Sequence, residues 1–104
     1  MKIVGVTACT TGIAHTYMAQ EALEKECKKR GYEISIETQG GMGIEDELTD
    51  EQIQEADVAV LAVSIGIEGD ERFDEKREKG KVLTLDPSLV LKNVEKVIDD
   101  LENL

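Results

Sequence analysis

The sequence predicts an α/β protein: a three-layer, open, parallel four-stranded sheet with helices on both faces. Three observations predict it. Short apolar, β-branched runs alternate with helical patterns in the order β-α-β-α-β-α-β-α. The connections between them are short, as parallel crossovers require. The chain has 104 residues, 40% of them hydrophobic, which is enough for one core and one domain spanning 1–104.

The first run, Ile3 to Ala8 (IVGVTA), reads as a strand buried on both faces. A small-residue loop follows, and then a helix whose apolar side is Met18, Ala19, Ala22, Leu23 and Cys27, with Glu21, Glu24, Lys25 and Lys28 opposite. Lys28-Lys29-Arg30 and Gly31 give that helix a cationic last turn and a glycine stop. In Glu33 to Thr38, Ile34 and Ile36 alternate with Glu33, Ser35 and Glu37, the pattern of an edge strand with one wet face. Gln39 to Gly43 reads as a flexible turn. Thr49 with Gln52 has the spacing of a capping box for a short helix from Asp50 to about Ala56.

Asp57 opens Val58 to Val63, a near-continuous apolar strand that belongs in the sheet centre. Ser64 to Gly80 reads as a polar loop and then a short, weakly marked helix, and Lys81 to Leu85 as the fourth strand. Asp86 as N-cap and Pro87 in the first turn start one last helix, with Leu91, Val94, Val97, Ile98 and Leu101 inward.

Composition narrows the function. With 12 basic and 23 acidic residues the formal net charge is −11, a surface that repels nucleic acid and anionic lipid. No apolar run approaches the roughly 20 residues of a membrane span, and the start resembles a strand more than a signal peptide. Two cysteines without CxxC spacing give neither a disulfide framework nor a zinc pattern, so the expectation is a cytoplasmic protein with reduced thiols, no metal and no cofactor.

Ligands in such sheets bind beyond the carboxyl ends of the strands. There the sequence places Cys9, between a buried strand and a helix N-terminus whose first amides lack intrahelical partners. Those amides and the helix dipole make an anion site and favour thiolate, lowering the cysteine pKa below the free value of about 8.5. Thr10, Thr11 and Gly12 let the backbone wrap a tetrahedral oxyanion, so a nucleophile stands inside a phosphate cradle. The plain alternative, a small buried hydrophobe, suits Cys27 on its apolar helix face.

A cysteine phosphatase of this architecture needs a C-x5-R loop and a general acid. His15 stands at the arginine position, and Asp86 is explained as an N-cap. A bound phosphoryl group is therefore expected to persist, as on a carrier.

Cys9-Thr10-Thr11-Gly12-Ile13-Ala14-His15-Thr16 resembles the C-P-T-G-I-A-H-T signature of the IIB component of the fructose-specific phosphotransferase system, with Thr10 in place of the proline. The resemblance continues through Glu37-Thr38-Gln39-Gly40, Gly43-Ile44-Glu45, Asp57-Val58 and Arg72-Phe73. It implies a Rossmann-like fold shared with low-molecular-weight tyrosine phosphatases. It also implies a phosphotransferase activity: Cys9 accepts a phosphoryl group from phosphohistidine of a IIA component and passes it to a sugar held by a membrane IIC component. By the same resemblance the backbone from Thr10 to His15 holds the phosphate, Thr11 and Thr16 add hydroxyl donors, and the protein associates peripherally with its membrane partner. His15 either meets the phosphate, as a donor or a positive charge, or only caps the loop or packs against Tyr17. Arg72 is either an accessory contact to phosphate or partner, or an ordinary surface arginine. The alternatives to a carrier are a low-molecular-weight tyrosine-phosphatase-like or arsenate-reductase-like cysteine enzyme and a non-catalytic regulatory module.

Overall fold

The computed structural model describes residues 1–9, 13–40 and 43–104, the side chains of Ile13 and Ala14 excepted. Its strands are β1 (Lys2–Ala8), β2 (Glu33–Gly40), β3 (Gly43–Glu45), β4 (Val58–Val63) and β5 (Val82–Leu85). Its helices are α1 (Ile13–Lys29), α2 (Asp50–Glu55), α3 (Asp74–Glu78), α4 (Pro87–Lys92) and α5 (Val94–Glu102), with a 3₁₀ turn at Asp70–Phe73. The strand order is β3-β2-β1-β4-β5. Pairing is parallel except between β2 and β3, where Thr38, Gln39 and Gly40 oppose Glu45, Ile44 and Gly43.

The sheet therefore has five strands where the sequence predicts four, and one edge is antiparallel. The segment read as a turn supplies strand residues at both ends: Gln39 and Gly40 extend β2, and Gly43 opens β3. Gly41 and Met42 lie outside the described residues. A three-residue strand flanked by glycine carries too little pattern to be read alone; it exists because β2 offers it a ladder. The same pairing takes β2 off the sheet edge.

Alternation along the strands splits the core in two. Ile3, Ile36, Val58, Val60 and Ala62 pack against Ala19, Leu23 and Cys27 of α1 and Val90, Val97, Ile98 and Leu101 of α4 and α5. Val4, Val6, Ala59 and Leu61 face Leu48, Ile53, Ala56 and Phe73. Gly5 lets the central strands close up: a Cβ there would stand 2.9 Å from Val60 Cγ1 and 3.1 Å from Val60 O. Along α1 the inward stripe is Ala19, Leu23 and Cys27, at i, i+4 and i+8; Met18, expected inward, is 51% exposed. Arg30 fastens the far end of α1 to α5, its guanidinium 2.8 Å from Glu26, 2.8 Å from Asp99 and 3.2 Å from Glu102.

The expected single last helix is two. Asn93 is extended (φ −159°), and its side chain accepts a hydrogen bond from Lys96 N–H, so it ends α4 and caps α5. The break also puts Val90 inward while Leu91 is only half-buried. The other two predicted helix starts are present. Thr49 and Gln52 form the capping box, with Gln52 N–H donating to Thr49 Oγ1 (3.1 Å) and Thr49 N–H to Gln52 Oε1 (2.9 Å). Asp86 accepts from Ser88 N–H (2.9 Å), with Pro87 in the first turn.

Candidate functional site

β1 is the central strand, flanked by β2 and β4, and the chain order reverses on either side of it. Ala8 pairs with Gln39 on one side and Val63 on the other, and Ser64 N–H donates to Ala8 O (3.1 Å). Cys9 thus emerges at the carboxyl ends of the strands at the topological switch point. It lines a cleft of about 340 Å³ with Gln39, Gly40, Gly43, Ile44, Ile65 and Glu68. Cys9 is partly exposed, whereas Cys27 is fully buried, and burial pushes the Cys27 thiol up to about 11.

Of the other predicted site residues, Thr10, Thr11 and Gly12 lie outside the described residues, as do the side chains of Ile13 and Ala14. The backbone of both belongs to the first turn of α1, directly after the loop. His15, in the same turn, is exposed, with Nδ1 3.9 Å from Cys9 Sγ, the outer limit for a hydrogen bond to sulfur. Thr16 is 2% exposed, and its Oγ1 has no hydrogen-bond partner among the described residues; neither has Thr7 Oγ1. Tyr17 donates its hydroxyl to Glu45, joining α1 to β3; that bond, burial and the Glu45 and Asp46 charges raise its pKa, although Thr38 pulls the other way.

Arg72 does not stand free at the rim. Its side chain is 14% exposed and forms a fork onto Glu37, Nη1 to Oε1 at 2.9 Å and Nη2 to Oε2 at 3.0 Å. Nε donates to Gly69 O (2.7 Å), Nη1 also to Leu48 O (3.0 Å), and Nη2 to Glu68 O (3.3 Å). A guanidinium has five N–H donors, and these bonds use them all. A clamp on phosphate would require breaking that set.

Glu37, expected on a wet face, has no exposed surface. Its carboxylate also accepts from Leu48 N–H (2.9 Å) and Gln39 Nε2 (2.6 Å). Burial raises its pKa, but the Arg72, Gln39 and Leu48 hydrogen bonds and the Arg72 charge outweigh burial and hold it below the usual glutamate range. Gln39 then clasps the next loop at two points, Nε2 to Glu68 O and Glu68 N–H to Oε1, both 2.9 Å. Gln39 and Glu68 line the cysteine cleft, so this network sets one of its walls. Sequence reasoning quoted Glu37 and Gln39 without giving them a role. An acidic residue in a strand and an arginine in a later loop offer no local sign of pairing.

A partly exposed cysteine at a β-to-α switch point, ahead of a helix N-terminus and beside an imidazole, is an arrangement on which an open α/β protein can place covalent thiol chemistry. Comparison with known proteins makes the class specific. The family described as "PTS system, Lactose/Cellobiose specific IIB subunit" matches residues 4–100. The PTS system fructose-like EIIB component 2 of Escherichia coli strain K12 is 54% identical over 72 residues, 69% of this chain and 68% of that protein. The Fructose-like PTS system EIIBC component of the same strain is 42% identical over 102 residues, 97% of this chain and 20% of that protein. A crystal structure of a predicted fructose-specific IIB from Escherichia coli superimposes with a TM-score of 0.89 at 42% identity, covering 97% of this chain and 86% of that one. The chain belongs to the phosphotransferase-system IIB family, the phosphoryl carriers of sugar uptake, on its fructose-like side.

Proposed function

We propose that Cys9 is the residue that carries the phosphoryl group, taking it from the phosphohistidine of a IIA component and handing it to fructose or a fructose-like sugar held by a membrane IIC component. The observation that carries this reading is the position of Cys9. It is the more accessible thiol of the two, in a cleft beyond the central strand and ahead of α1. A phosphoryl group on Cys9 would meet the N-terminal amides of α1, where the helix dipole favours a dianion. In this reading the backbone from Thr10 to His15 forms the cradle, and the unpartnered hydroxyl of Thr16 supplies a further donor. Arg72 acts at one remove, by holding Glu37 and the Glu68 loop.

The sugar and the partners rest on the relatives, whose names are fructose-like and include a EIIBC component. No helix among the described residues is long and apolar enough to cross a membrane. In this reading the chain meets the membrane through its IIC partner, as the name of the EIIBC relative suggests.

The test is phosphoryl transfer from a phosphorylated IIA domain, read by intact mass. Cys9→Ser is expected to abolish the phosphothiolate, and Cys27→Ser to leave it in place. Equal loss from both variants, or none from Cys9→Ser, overturns the assignment.

A further inference from the structure

The loading step leaves a proton to be moved. A thiol that attacks phosphorus must lose its proton, and the departing imidazole of a phosphohistidine must gain one. In the unloading step a sugar hydroxyl loses a proton and the cysteine sulfur regains one. Tight sequestration of phosphate by backbone amides provides for none of these transfers, because amides do not exchange protons on that timescale of chemistry. A base beside the sulfur does.

His15 is the described side chain that meets this need. Its Nδ1 stands 3.9 Å from Cys9 Sγ, a contact of the length that free enzymes show before a substrate tightens it. The imidazole is exposed, so a proton taken from sulfur can leave it. Asp86, the N-cap of α4, has its carboxyl held below the usual range mainly by the Ser88 amide and hydroxyl, with a smaller contribution from His15 against a burial penalty. The charged and titratable groups gathered around the start of α1 are Cys9 after β1, Asp86 ahead of α4, and Glu45 and Asp46 across Tyr17.

We infer that His15 is a catalytic proton relay for Cys9, the nucleophile coming from the end of β1 and the base from the first turn of α1. In loading, the thiol proton moves to His15 Nδ1 and the Sγ electron pair attacks phosphorus. The phosphorus–nitrogen bond breaks with its electrons staying on the donor imidazole, which then receives the proton. In unloading, the sugar hydroxyl oxygen attacks phosphorus and the sulfur–phosphorus bond breaks toward sulfur. The hydroxyl proton passes through Nδ1 to Sγ. This inference rests on the carrier reading for its substrates, but the Cys9–His15 proton exchange can be measured without any phosphoryl donor.

The experiment is the pH dependence of Cys9 alkylation by iodoacetamide on the full chain, located by peptide mass. Only thiolate reacts, and buried Cys27 serves as an internal unreactive reference. His15→Asn keeps a hydrogen-bonding nitrogen near the Nδ1 position but cannot take a proton. Near pH 7 the wild type is expected to react on the order of tenfold faster than His15→Asn, with the two converging near pH 10. Superimposable wild-type and His15→Asn profiles overturn the relay. If the profiles separate as expected but wild-type Cys9 accepts no phosphoryl group from IIA, the pair stands and the carrier reading falls. If Cys9 is phosphorylated but His15→Asn loads and alkylates like wild type, the reverse holds.

Discussion

The two faces of the sheet are sealed by different chemistry. Under α1, α4 and α5 the filling is hydrocarbon: Ile3, Leu23, Val60, Val90, Ile98 and Leu101 are all almost wholly buried. On the other face, apolar packing around Phe73 gives way near the carboxyl ends of the strands to Glu37, Arg72 and Gln39. Hydrocarbon packing is non-directional and stabilises in proportion to area, so the first face holds the fold together without dictating any one loop. A buried ion pair contributes little net stability against an apolar replacement, but its hydrogen bonds have direction. Here they reach Leu48, Glu68 and Gly69, none of which is in a strand. One face provides stability, and the other provides the placement of the cleft wall beside Cys9.

The difference can be broken most severely at Arg72. Arg72→Ala leaves the Glu37 carboxylate buried without a counter-charge and is expected to cost about 3–5 kcal/mol by urea unfolding. The paired replacement Glu37→Leu with Arg72→Met should recover most of that loss while slowing phosphoryl acceptance. A paired variant as unstable as the single one would show that the ion pair is a source of stability after all. On the hydrocarbon face, Leu23→Ala is expected to cost about 2–4 kcal/mol and to leave the transfer rate of the folded protein unchanged. Gln39→Ala should cost less, about 1–2 kcal/mol, and its signature is local: faster hydrogen exchange at the Glu68 amide, which loses its acceptor.

Acid offers a finer probe of the polar face. The depressed Glu37 pKa means that its contribution is present above the unfolded value of about 4.3 and is lost as pH falls below it through the folded value. Stability of the wild type should fall more steeply below about pH 4 than that of Glu37→Gln. At the bottom of the scale, breaking the exposed Lys25–Glu21 pair by Lys25→Ala is expected to change stability by less than about 0.5 kcal/mol.

Much of this molecule is legible in its residues. Thr49 and Gln52, Asp86 and Pro87, and the cationic end of α1 at Gly31 (φ +78°) all act where their chemistry places them, because capping is settled within a few residues of chain. The position of Cys9 is legible for the same reason: a buried strand, a small-residue loop and a helix leave a thiol nowhere else to emerge. Asn93 was readable in principle, since asparagine is a good N-cap, but it sits inside an apolar period that continues across it. Glu37 was misread because alternation tells which side of a strand a residue faces and nothing about what covers that side. Glu33 and Ser35 share its face and are exposed.

The order of strands and helices, the two caps and the thiol at the mouth of α1 follow from short-range chemistry, since each depends on residues within a turn or two of one another. β3, the burial of Glu37 and its pairing with Arg72 were decided only when distant segments met. A ladder needs a partner strand, and a buried carboxylate needs a cation from 35 positions away. Directional contacts between such segments have no period for a sequence to display. Their energies exist only in the folded geometry.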